Sequence, residues 1–109
     1  MTDCLFCKIV AGEIPATVVL EDEKVLAFRD INPAAPTHVL VIPKEHVPDV
    51  RDAEAGTVAD VIAGAKQVAS KEGLTSFRLV FNNGAEAGQS VFHLHVHVLG
   101  GRGMSWPPG

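Results

Sequence analysis

The stretch FHLHVHVL at residues 92–99 decides the architecture, because His93, His95 and His97 alternate with Leu94, Val96 and Val98. A two-residue period belongs to a strand, so this spacing predicts a fifth strand over 92–99 with three imidazoles on one face, about 6.5–7 Å apart. Burying one imidazole requires a hydrogen-bond partner, and a row of three leaves several unmet groups unless a site satisfies them. The histidine face is therefore read as functional. Two chemistries fit it: an HxH pair binding a zinc ion that activates water, or a neutral imidazole attacking phosphorus directly. Asn82, Asn83 and Gly84, then GQS at 88–90, offer amide, hydroxyl and backbone donors at the mouth of the strand, which favours the second.

Outward from this stretch, FRLVF at 77–81 reads as a fourth strand and NNG at 82–84 as a turn. Before them, Val58, Val61, Ile62, Ala65, Val68 and Ala69 fall on one 3.6-residue stripe, which predicts a long helix from a Thr57–Asp60 capping box to a stop at Gly73. HVLVI at 38–42 is continuously apolar, as in a strand covered on both faces, and His38 opens it. Pro43 and Pro48 make the next stretch, which holds His46, irregular. VVL at 18–20 and VLAF at 25–28 flank the polar EDEK as a hairpin with Asp30 beyond its far end. Asp3 is placed to cap a short helix carrying Leu5, Ile9 and Val10, stopped by Gly12 and Pro15. The tail GGRGMSWPPG is too rich in Gly and Pro to join the core. This order of elements predicts an α+β fold with a largely antiparallel sheet, one long helix and one short one.

A chain of 109 residues, 47% hydrophobic and 20% charged, has room for one domain, 1–109, and no second. Its formal charge of -4 excludes a general polyanion-binding surface, so no nucleic acid polymer is expected as partner. The N-terminus has no basic leader and only a short apolar run, which predicts a cytoplasmic protein without membrane contact. Cys4 and Cys7 are too close on a helix for an easy disulfide, and their CxxC spacing points to metal or redox chemistry.

HLHVHVL at 93–99, EIPA at 13–16, Phe28 to Ile31, APTHVLVIPK at 35–44, GQSVFHLHVHVLGGR at 88–102 and the closing WPPG together resemble the histidine triad (HIT) family, in its Hint, or nucleotide-binding, branch. The resemblance implies five antiparallel strands joined across a two-fold homodimer through the long helix and the strand at 77–81. It implies a hydrolase that cleaves purine nucleoside phosphoramidates or other AMP conjugates through a nucleotidyl-histidine. His95 is then the nucleophile, with its other ring nitrogen held by a backbone carbonyl, while His97 and His38 line the phosphate site. Ser90, with the backbone amides near Gln89, takes the phosphate oxygens, and Asn82 the phosphate or ribose side. Asp30 accepts from the ribose hydroxyls, and Phe28 and Ile31 meet the base.

Some bacterial members of the family look similar in carrying an N-terminal CxxC, a His from the loop after the third strand and the first motif histidine as zinc ligands. Cys4, Cys7, His46 and His93 would make such a closed tetrahedron, a structural zinc that the chemistry does not need. The tail 101–109 would extend toward the partner subunit, where Trp106 influences substrate choice. A second reading keeps the nucleotide site but makes the chain a regulatory binding protein with incidental catalysis. A zinc hydrolase built on His93, His95 and His97 is disfavoured, since no carboxylate base accompanies them.

Overall fold

The computed structural model describes residues 3–109. A short helix α1 (Leu5–Val10) precedes strands β1 (Val18–Glu21), β2 (Val25–Arg29) and β3 (Thr37–Pro43). The long helix α2 (Ala55–Lys71), strand β4 (Phe77–Val80), a 3-10 turn (Ala85–Ala87) and strand β5 (Val96–Gly100) complete the order. The strands form one antiparallel sheet ordered β1-β2-β3-β5-β4. The α+β class, the five strands and the two helices agree with the sequence pattern.

The alternation along the strands splits the core in two. Val25, Ala27, Val39, Val41, Val96 and Val98 face α2 and pack on Val61, Ala65 and Val68. Leu26, Phe28, Leu40 and Ile42 face the opposite way and pack on Phe6 of α1. β3 is thus buried on both faces, which is why its sequence shows no polar alternation. α2 lies so close to the sheet that a Cβ at Gly64 would stand 3.0 Å from Val41 Cγ1. Gly73, at φ +70°, ends that helix in a conformation that other residues rarely adopt.

Three boundaries depart from the sequence pattern. The cap of α1 is Cys4, not Asp3: the Cys4 sulfur accepts from the Cys7 amide at 3.3 Å. α2 starts two residues early, at Ala55 after a Glu54 cap, which places Thr57 inside the first turn, so the Thr57–Asp60 capping box does not form and Thr57 Oγ1 donates to Glu45 Oε1 at 2.7 Å. β5 begins at Val96 rather than at residue 92. The ladder with β3 runs only to the Val41–Val96 pair, because Pro43 has no N–H to continue it. The freed backbone finds other partners: the Leu94 amide donates to Val47 O at 2.7 Å.

The tail after Gly100 joins neither core cluster. Arg102 donates to the Ala34 carbonyl through Nε and Nη2, at 3.1 and 2.9 Å, and Trp106 is 81% exposed. No helix among the described residues is long and apolar enough to cross a membrane.

Candidate functional site

His93, His95 and His97 keep their alternation although the first two precede the strand, and the loops they meet give each ring a different task. The His95 ring is 7% exposed and stands edge-on to Phe6 at 5.1 Å and to His97 at 5.0 Å between centroids. Its Nδ1 lies 2.8 Å from the carbonyl oxygen of His93. A carbonyl only accepts, so Nδ1 carries the proton, and in the neutral ring Nε2 is left with its lone pair. Burial holds the ring below the ordinary histidine range and so keeps it neutral near pH 7.

The same logic fixes two more tautomers. The Ala34 amide donates to His38 Nδ1 at 2.9 Å, so His38 carries its proton on Nε2. That Nε2–H donates to His97 Nδ1 at 2.8 Å, with Asp30 Oδ2 at 3.4 Å beside it. His97 is therefore protonated on Nε2, and this nitrogen is buried with no acceptor among the described residues. Burial first, then the neighbouring His95 and His38, push His97 down to about 4, and burial also lowers His38. The cluster presents one imidazole lone pair and one unanswered imidazole N–H, which together suit attack on a centre bearing negative oxygens. Asp30, His38 and His97 are close enough to suggest a cation site. Their tautomers argue against it, since His38 and His97 are already joined by a hydrogen bond and a metal on His38 Nε2 would displace its proton.

His95 and His97 line a cavity of about 470 Å³. Phe28, Asp30 and Ile31 from the end of β2 line it as well, and so do Ser90 and Val91 from the loop before the triad. All of these but Val91 are sequence-derived site residues that the fold brings together. Asn82 is not among the lining residues; its carboxamide packs over Gly88 instead. Gln89 is also spent elsewhere. Its amide donates to Gly84 O at 3.1 Å, its Oε1 accepts from the Gly84 amide at 2.8 Å, and its Nε2 donates to Pro48 O and Val91 O at 2.7 and 3.2 Å. These bonds tie Gln89 into the turn that precedes Ser90. A larger depression of about 680 Å³ opens at the start of α2, but its rim mixes Lys24 and Lys44 with Glu23, Glu45 and Glu54 and holds no histidine.

Sequence reasoning missed one wall. Leu5, Phe6 and Ile9 of α1, with Ile14 just beyond it, line the cavity opposite the sheet. The available signal was length: a six-residue helix cannot hold an apolar stripe unless that stripe covers something.

His93 belongs to a second cluster with Cys4, Cys7 and His46. Its Nδ1 stands 3.4 Å from Cys4 Sγ, 3.6 Å from Cys7 Sγ and 3.3 Å from His46 Nδ1, and Cys7 Sγ is 3.3 Å from His46 Nδ1. A tetrahedral ion with bonds of about 2.3 Å to sulfur and about 2.05 Å to nitrogen has S···N edges of about 3.5 Å and an N···N edge of about 3.3 Å. The four donors therefore fit a closed metal cage. The far nitrogen of His93, Nε2, donates to Pro43 O at 2.8 Å, so the lone pair of Nδ1 faces the cage.

The HIT domain profile matches residues 11–104, most of the chain. The chain belongs to the HIT domain family. A HIT family hydrolase from Legionella pneumophila superposes with a TM-score of 0.94 at 54% identity, covering 98% of this chain and 100% of that one. A 14 kDa zinc-binding protein of Zea mays is 53% identical over 96% of this chain and 87% of its own length. An adenylylsulfatase of Arabidopsis thaliana is 49% identical over 96% of this chain and 76% of its own. This HIT chain thus shares its fold with a hydrolase and carries a Cys/His cluster with the spacing of a metal site.

Proposed function

We propose that the chain hydrolyses purine nucleoside 5'-phosphoramidates, or related conjugates of AMP, through a covalent nucleotidyl-His95 intermediate. The observation that carries this reading is the 2.8 Å bond from His95 Nδ1 to the His93 carbonyl, which leaves Nε2 as an unprotonated nucleophile. In the first step the Nε2 lone pair forms a bond to phosphorus, the phosphorus–nitrogen bond breaks, and the amine leaves with the electron pair and takes a proton from solvent. Water then attacks phosphorus, the bond to Nε2 breaks with its electrons returning to the ring, and a water proton passes to solvent. The N–H of His97, positioned through His38, donates to the charge that develops on the phosphoryl group. Ser90 with the adjacent backbone holds the phosphate oxygens. Asp30 accepts from ribose, and the apolar wall of Phe28 and Ile31 takes the base. The adenylylsulfatase name of the Arabidopsis relative supports an AMP conjugate as substrate. Intact-mass measurement after rapid quench with adenosine 5'-phosphoramidate checks the reading: one adenylyl group per chain, mapped to His95, is expected. Turnover without any such adduct sinks it.

The cage of Cys4, Cys7, His46 and His93 takes a zinc ion in this proposal. With four protein ligands and no open position, zinc supplies a cross-link and no chemistry at the phosphorus. Thiolate ligands suit a reducing compartment, the cytoplasm. The unpaired sheet edge at β4, with Phe77 and Trp106 exposed, supports a two-fold homodimer through α2 and β4, with the tail reaching the partner. A sedimentation mass of one chain in solution removes the dimer.

A further inference from the structure

The metal cage and the cavity share α1. Cys4 and Cys7 supply two of the four cage donors, while Leu5, Phe6 and Ile9 of the same helix form the cavity wall opposite the sheet. Outside the cage, α1 is held by its apolar face. Its six residues are too few for a helix that persists by itself. Among the described residues, the backbone hydrogen bonds around it all fall within residues 4–14, and Phe6 is its one buried side chain. Phe6 stands edge-on to Phe28 at 5.4 Å, and Ile9 and Val10 pack on the same apolar layer while only partly buried. The cage adds two points of attachment, because Cys4 and Cys7 reach across to His93 and His46.

Resting on the nucleotide reading of the cavity, we infer that metal occupancy and nucleobase binding are thermodynamically linked through α1. Cys4 and Cys7 are then positioning residues for the base wall. The ion orders Leu5 and Ile9 against the base, and a base seated there orders the two thiolates for the ion. Reciprocity follows from linkage: each ligand tightens the other by the same factor. The phosphate end of the cavity is built differently. In this reading the phosphate is held mainly through His97 on β5 and His38 on β3, and the base is the part of the ligand that reaches Leu5 and Ile9 of α1.

That difference provides the test. The zinc affinity of the full chain is measured by competition with a chromogenic chelator in three conditions: without ligand, with saturating AMP, and with saturating ribose 5-phosphate. The inference expects AMP to tighten zinc about tenfold and ribose 5-phosphate to change it less than twofold. Substituting Leu5→Ala and Ile9→Ala together keeps all four cage donors and should abolish most of the AMP effect. Equal tightening by both ligands means that zinc only supports the fold as a whole, and it overturns the inference. AMP that binds but leaves zinc affinity unchanged overturns it too. Failure of AMP to bind the zinc-loaded chain removes the nucleotide reading itself, and the inference with it.

Discussion

Replacing His95 with alanine is expected to lower turnover of adenosine 5'-phosphoramidate by about 10⁴-fold or more, equivalent to about 5.5 kcal/mol of barrier. The loss is large because no other ring can take its place. His97 has its proton on the nitrogen that faces inward and its Nδ1 engaged by His38 at 2.8 Å. His93 gives its ring to Pro43 and to the cage. Binding should survive, since the phosphate loop and Asp30 remain, so AMP affinity within about threefold of the parent is the companion result. A His95→Ala chain that turns over at the parent rate sinks the nucleophile. The pH profile follows from the same neutral cluster. Histidines whose pKa values are lowered in the fold stay uncharged below pH 6.5, and only as pH falls toward about 4 does His97 gain a charge and release His38. kcat/KM is therefore expected to begin its acid fall below the ordinary histidine value. An acid limb centred at the ordinary histidine value would contradict the burial argument.

The strands and α2 were legible because their patterns repeat over enough residues for period alone to decide: β3 is an unbroken apolar run, and α2 shows six apolar residues on one stripe. The ends of elements were not, and the reasons are tertiary. Thr57 had every local feature of a cap, but Glu45 stands close enough to take its hydroxyl. The motif FHLHVHVL reads as one strand from end to end. Its first half leaves the ladder because the partner opposite is Pro43, a residue on another strand. Residue types pointed to the site, but tautomers did not. That His97 presents an N–H inward depends on an amide at Ala34 reaching it through His38, 59 residues away in sequence. Gln89 shows the limit from the other side. A polar residue in a Gly-rich loop reads as a ligand contact, and its pattern does not tell that three backbone segments also bond its side chain. The wall contributed by α1 was hidden for a related reason: an apolar stripe on a short helix does not say whether it covers core or cavity.

Stripping zinc with a chelator is expected to lower the melting temperature by about 15–25 °C. An ion present at about a thousand times its dissociation constant contributes about 4 kcal/mol, and in a domain of this size each kcal/mol moves the midpoint by about 4–6 °C. The cage is well placed to contribute that much. It joins α1, the loop after β3 and the segment before β5, with Cys4 and His93 89 positions apart, so it closes long loops whose entropy the unfolded chain would otherwise keep. Cys7→Ser, which removes one thiolate, should reproduce most of the drop and leave metal content well below one equivalent per chain. Chemistry should outlast stability. Without the ion His93 still donates to the Pro43 carbonyl at 2.8 Å, so its own carbonyl stays in place to hold the His95 proton. At 20 °C, where the stripped chain remains folded, kcat at saturating substrate should therefore change less than about threefold, while KM rises as the α1 wall loosens. A melting temperature that does not move after metal analysis has verified complete removal means that the four donors cross-link nothing. The stability of this fold would then rest on the two apolar layers alone.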